Sequence, residues 1–154
     1  MKKLRLLVTQ ECNRTCDGCC NKQFNLNNLP TITNPDHYNQ YDIIMITGGE
    51  PMLFSNKIYH FIKTLKTQLK YKGKIILYTA KIDNLLAMSK LLLYLDGITI
   101  TLHNQYDVRD FLSLDSFLFI VRLFDIFVCF LSHFSSKSIL LIFFLKIFLT
   151  PSGV

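Results

Sequence analysis

The sequence predicts an α/β protein with a parallel sheet, either half of a (β/α) barrel or an open sheet of the same kind. Three observations carry this. Short, β-branched apolar runs alternate with longer stretches of helical periodicity. The stretches between runs are long enough for parallel crossover connections. The residue types able to do chemistry cluster just after the runs, where the C-terminal edge of such a sheet carries its site.

Leu4 to Thr9 reads as the first buried strand, followed by a polar, Cys-rich segment over 10–21. Residues 22–40 hold Asn25, Asn27, Asn28, Pro30, Asn34 and Pro35, which is loop chemistry with room only for short helical turns. Tyr41 to Thr47 is a second strand, closed by Gly48-Gly49. Ser55 is the expected N-cap of a helix with Ile58, Phe61, Ile62, Leu65 and Leu69 inward and Gly73 at its end. Lys74 to Ala80 is the third strand. Asp83 is the expected cap of a second helix, with Leu85, Leu86, Met88, Leu92 and Leu95 inward and Gly97 at its end. Ile98 to Leu102 is the fourth strand.

The chain has 154 residues, half of them hydrophobic, enough for one core. Its net charge of +6 is scattered, with several lysines one helical turn apart (Lys63, Lys66, Lys70). That pattern describes a solvated helix face, not the clustered stripe of a nucleic-acid binder. The start, Met1 to Val8, is too short in its apolar part for a secretory signal, and a cytoplasmic location is expected.

A composition break follows residue 114, so the expected organisation is a core over 1–114 and an apolar tail over 115–154 of uncertain structure. Ten of the thirteen Phe fall at or after Phe111. Three readings of the tail stand. A membrane hairpin is disfavoured, because Arg122 and Asp125 interrupt the first run and the second is shorter than the roughly 20 residues a span needs. A core helix followed by an apolar strand is the second reading. A frameshift or truncation of the gene near residue 115 is the third, since Phe, Leu, Ile and Ser are what T-rich codons encode.

Four of the five cysteines lie at positions 12, 16, 19 and 20. Packed so closely they cannot staple a domain, and metal binding is the better reading. Cys12, Cys16 and Cys19 have the spacing C-x3-C-x2-C. Thiolates suit iron–sulfur clusters and zinc. Three of them leave one corner of a cubane open, as a reactive metal site requires. Cys20 is either a fourth ligand or, by preference, a small buried hydrophobe. A structural zinc loop is the rival for the whole segment.

Thr47-Gly48-Gly49-Glu50-Pro51 closes the second strand. A tight strand-to-helix turn explains the glycines and the proline but not the acid. Carbonyl oxygens and a carboxylate at that edge would suit an amino-acid ammonium group. Thr79 ends strand three and either contacts a cofactor or satisfies a backbone group. His103 ends strand four and either faces a cofactor or is an exposed loop residue. His37, His60 and His133 read as ordinary surface or loop residues. Asp107 and Asp110, flanking Arg109 at a helix start, read as charges that suit the helix dipole.

CNRTCDGC after one strand and TGGEP after the next resemble the radical S-adenosylmethionine superfamily over residues 3 to about 110. The resemblance implies a partial (β/α) barrel of radical SAM type. It implies a [4Fe–4S] cluster on Cys12, Cys16 and Cys19, and S-adenosylmethionine held near Gly48, Gly49, Glu50, Thr79 and His103. It further implies reductive cleavage of that cofactor to a 5′-deoxyadenosyl radical, an electron donor such as flavodoxin or ferredoxin, and a small-molecule or protein substrate. Asp17-Gly18-Cys19-Cys20-Asn21 and Ile75 to Thr79 are similar to the small glycyl-radical activases, notably that of anaerobic ribonucleotide reductase. Gly18 stands where the superfamily usually has an aromatic residue, and Glu50 where the activases commonly have Asp. The alternative is a non-catalytic iron–sulfur or zinc module. The residues that would carry catalysis beyond the cofactors are not legible.

Overall fold

The computed structural model describes residues 1–16, 19, 22, 25–132 and 146–151. Five strands form one sheet in the order β1 (Lys3–Leu7), β2 (Ile43–Thr47), β3 (Lys74–Thr79), β4 (Gly97–Leu102) and β5 (Lys146–Pro151). Every pairing is parallel. Helices α1 (Ser55–Thr67), α2 (Leu85–Leu92) and α3 (Gln105–Ser132) follow β2, β3 and β4. The α/β class and the all-parallel sheet expected from the sequence are present. No pairing closes the sheet into a barrel among the described residues.

The register explains the core. Leu6, Ile46, Leu77 and Ile98 lie side by side across four strands. Ile46, Leu77 and Ile98 have no exposed surface, and neither do Ile44, Ile75 and Ile100 of the same face. Period-2 alternation puts all of them on one side of the sheet. There α1 contributes Ile58, Ile62 and Leu65, α2 contributes Met88, Leu91 and Leu92, and α3 contributes Leu114. Each such side chain stabilises the fold by about 1.5–3 kcal/mol when fully buried. β1 is different. Its pattern is only half-buried, so the first strand is an edge rather than the buried element the sequence suggests.

The helix boundaries depart from expectation. Ser55 is the first residue of α1, not its cap. A 3-10 turn, Pro51–Phe54, precedes it and is capped by Glu50. α1 stops at Thr67, and the reversal before Gly73 is made by Lys70 at φ 51°. Asn84, not Asp83, caps α2 by accepting the N–H of Ala87 at 2.9 Å. α2 ends at Leu92, and Gly97 opens β4 instead of closing the helix. Leu86 is exposed and Leu91 takes the buried place. Lys66 of α1 bonds Asp96 at 2.8 Å, and Asp96 accepts the Ile75 N–H at 2.8 Å, pinning α1 to the start of β3.

In the apolar segment, α3 runs across residue 114 without a break and β5 pairs with β4. No described helix is long and apolar enough to cross a membrane.

Candidate metal centre

The ends of β1 and β2 are zipped together beyond the sheet. Val8 donates to Thr47 O at 3.0 Å, Gly49 to Thr9 O at 2.8 Å and Glu50 to Glu11 O at 2.7 Å. The segment leading into the cysteines therefore lies directly on the Gly-Gly-Glu turn. This accounts for the glycines. Gly48 has φ +145°, and a Cβ there would run into the backbone of Thr9. A Cβ on Gly49 would run into the backbone of Glu11 and Gln10. The glycines thus serve a close approach of the chain's own loop as well as the turn itself.

Glu50 is 2% exposed, and its carboxylate is fully engaged. Oε1 accepts the Met52 N–H at 3.0 Å and the Thr79 hydroxyl; Oε2 accepts the Ala80 N–H at 2.9 Å. A buried carboxylate needs such donors. Glu50 thereby caps the 3-10 turn and latches the end of β2 to the end of β3. Thr79, also buried, gives its hydroxyl proton to that latch.

Cys12, Cys16 and Cys19 are all free thiols; Cys12 is exposed, and Cys16 and Cys19 are half-buried. Burial, then the neighbouring Cys12 and Cys19, push the Cys16 thiol up, while Arg14 and Lys22 pull the other way. His103 is exposed, and its ring lies beside Cys16, with both ring nitrogens 3.7 Å from Sγ. The structure thus brings His103 to the cysteine loop across the sheet edge. Cys20, Asp17, Gly18, Asn21 and His133 lie outside the described residues. His37 and His60 are exposed, as expected.

One pairing has no counterpart in the sequence reading. Arg14, between Cys12 and Cys16, grips Asp107 at the start of α3 with both terminal nitrogens, one of them at 2.8 Å. The same guanidinium donates to Ala80 O at 3.1 Å. Asp107 is 4% exposed and also accepts the N–H of His103 at 2.8 Å and of Asn104 at 3.3 Å. Burial alone would raise its carboxyl. The bond from Arg14 outweighs it, together with the His103 N–H, the Arg14 charge and the Asn104 N–H, and Asp107 is held below the usual carboxylate range. The available signal was Asn104-x-x-Asp107. Asn104 Oδ1 accepts the Asp107 N–H at 3.1 Å while Asp107 reaches back to the Asn104 N–H, a reciprocal capping box. A capping box fixes where Asp107 sits but does not name Arg14, 93 residues away.

The donor set can be tested against a cluster. Three free thiols on one loop suit iron–sulfur chemistry. Arg14 Nε is buried with no hydrogen-bond partner, a spare donor inside the loop that suits an anionic group. Among the described residues, no three Cys, His, Asp or Glu side chains converge into a ready-made metal site, so the fit is one of chemistry. The profile of a family described as the 4Fe-4S single cluster domain matches residues 3–110. The chain belongs to this family. The matched stretch takes in the cysteine loop, the Gly-Gly-Glu turn, His103 and Asp107. It makes an iron–sulfur cluster the group to expect in this 4Fe-4S domain, ahead of zinc. No curated protein matches the chain.

Proposed function

We propose that this 4Fe-4S domain is a radical S-adenosylmethionine enzyme, with Cys12, Cys16 and Cys19 holding one [4Fe–4S] cluster through three of its irons. The observation that supports it most is the direct hydrogen bonding of the cysteine loop to the Gly48-Gly49-Glu50 turn at the C-terminal edge of a parallel sheet. Three thiolates leave one metal position open, and the neighbouring turn can present carbonyl oxygens to an amino-acid ammonium. The chemistry supplied at that position is one-electron cleavage of S-adenosylmethionine to methionine and a 5′-deoxyadenosyl radical, which takes hydrogen from the substrate.

The chain's own part is to bind and orient. Gly48 and Gly49 let the loop lie on the turn. Glu50, engaged with Met52, Thr79 and Ala80, holds the turn in shape, so its role is positioning. His103, beside Cys16, faces the same space. An external electron donor such as flavodoxin or ferredoxin supplies the electron, and the substrate is a small molecule or the glycyl-radical site of a partner protein.

The test is anaerobic reconstitution with iron and sulfide, then dithionite and S-adenosylmethionine, with 5′-deoxyadenosine quantified. Its formation, and its loss in Cys16→Ala, supports the enzyme. A glycyl-radical EPR signal on an added partner would select the activase among substrates. A second reading is a cluster domain without catalysis, favoured by the commitment of the Glu50 carboxylate to protein donors. It predicts bound iron and no 5′-deoxyadenosine.

A further inference from the structure

The ion pair between Arg14 and Asp107 joins three chain segments that the sequence keeps apart. Arg14 sits within the cysteine loop, Ala80 just past β3, and Asp107 in the first turn of α3. Arg14 reaches both of the others. Asp107 then holds the backbone of His103, whose ring lies against Cys16. Ala80 passes the connection on, because its N–H is bonded to Glu50. One network therefore runs from the cysteine loop through the ends of β3 and β4 to the Gly-Gly-Glu turn. The pair is largely shielded, with side-chain exposures of 19% for Arg14 and 4% for Asp107. A two-pronged guanidinium–carboxylate contact fixes orientation as well as distance.

We propose that Arg14 and Asp107 are positioning residues of the cluster site, anchoring the cysteine loop and His103 to the sheet edge so that the thiols close on iron from one fixed base. Other anchoring of the loop among the described residues includes backbone bonds at Thr9 and Glu11 and the side-chain bond from Gln10 to Asn27, all made by loop residues before the first cysteine. Arg14 is the side-chain anchor lying between two cysteines. Lysine in its place keeps the charge but not the planar, two-pronged grip on Asp107. This inference rests on cluster binding and not on the cleavage of S-adenosylmethionine.

The experiment compares full-length wild type with Arg14→Lys, Arg14→Met, Asp107→Asn and, as a control, Lys66→Met, which breaks a surface pair with Asp96 remote from the loop. Each is reconstituted anaerobically with iron and sulfide. The readouts are iron per chain, the rate of iron loss to a chelator, the EPR spectrum of the reduced cluster and the melting temperature of the metal-free form. The expected result is iron loss about tenfold faster or more in both Arg14 variants and in Asp107→Asn, the scale on which outer contacts act at metal sites. A changed EPR line shape should accompany it, while Lys66→Met lowers the melting temperature and leaves cluster behaviour as in wild type. Should Asp107→Asn fail to fold, Arg14→Lys carries the test. If the Arg14 variants melt lower but hold iron with wild-type kinetics and spectrum, the pair is only a structural brace and the proposal is overturned. If wild type itself binds no iron, the cluster assignment falls first. The positioning role then falls with it unless alkylation of Cys16 in the metal-free protein is faster in the Arg14 variants than in Lys66→Met.

Discussion

Ile75 and Leu77, in the middle of β3, have no exposed surface, whereas Cys12, a few residues past β1, is exposed and Cys16 and Cys19 are half-buried. The sheet centre is held by apolar contacts that need nothing from outside the chain. The C-terminal edge is held by polar links: backbone bonds from Thr9 and Glu11, the Glu50 latch, and the Arg14–Asp107 pair. The difference teaches that this fold separates stability from chemistry. A substitution in the centre should act on the whole molecule, and one at the edge chiefly on the loop. Four substitutions rank that expectation by their effect on the metal-free fold.

Leu77→Ala should act most strongly. It empties a place bordered by the buried Ile46 and Ile98, and large-to-small changes of this kind cost about 2–5 kcal/mol. Chemical unfolding of the metal-free protein measures it. A cost well under 1 kcal/mol would mean that the centre tolerates cavities and that the two regions are not built on different principles. Gly49→Ala comes next. Its methyl group meets the backbone of Glu11, so the loop must move, at a cost of about 1–3 kcal/mol in strain. Iron binding should fall further than melting temperature does. Equal wild-type loading in Gly49→Ala would show that the loop needs no contact with the turn.

The centre was largely legible in the sequence and the edge was not. Ile43 to Thr47, Lys74 to Thr79 and Ile98 to Leu102 announce themselves because β-branched runs buried on a parallel sheet read continuously. The helix ends differ from expectation at Ser55, Asp83, Gly73 and Gly97, because a cap is decided by which side chain meets a free N–H. In α1 that start is displaced by a 3-10 turn capped by Glu50. Spacing suggested the cysteine loop and the Gly-Gly-Glu turn as partners, since both follow strands. It could not show that Glu50 would be buried against Thr79 and Ala80, or that Arg14 would find Asp107. Those contacts join residues far apart in sequence, and no local periodicity encodes them.

Asp107→Asn should have a smaller effect, and one that depends on pH. The native environment holds the Asp107 carboxyl below its usual range, so the charged form is favoured in the folded state. Its contribution is present above the unfolded pKa, about 3.9, and is lost as pH falls through the lower native value. The stability gap between wild type and Asp107→Asn should therefore be widest near neutrality and narrow as the solution is acidified below about pH 4. Thermal unfolding across that range measures the gap. A constant gap at every pH would show that packing, not charge, makes the difference.

Cys16→Ala should act least on the metal-free fold. Cys16 is half-buried, and its sulfur lies beside the exposed ring of His103. Surface changes of this kind shift stability by about 0.5 kcal/mol or less. The cluster, however, should be lost or destabilised, because the loop retains only Cys12 and Cys19 among its proposed ligands. Binding to the native state alone raises apparent stability by mass action. Wild type should therefore gain melting temperature on anaerobic reconstitution, and Cys16→Ala should gain little or none. The two melting curves should coincide without iron and separate with it. A large loss in the metal-free form would tie the thiol to the core and erase the division between centre and edge. Equal gains on reconstitution would remove Cys16 from the ligand set while leaving that division intact.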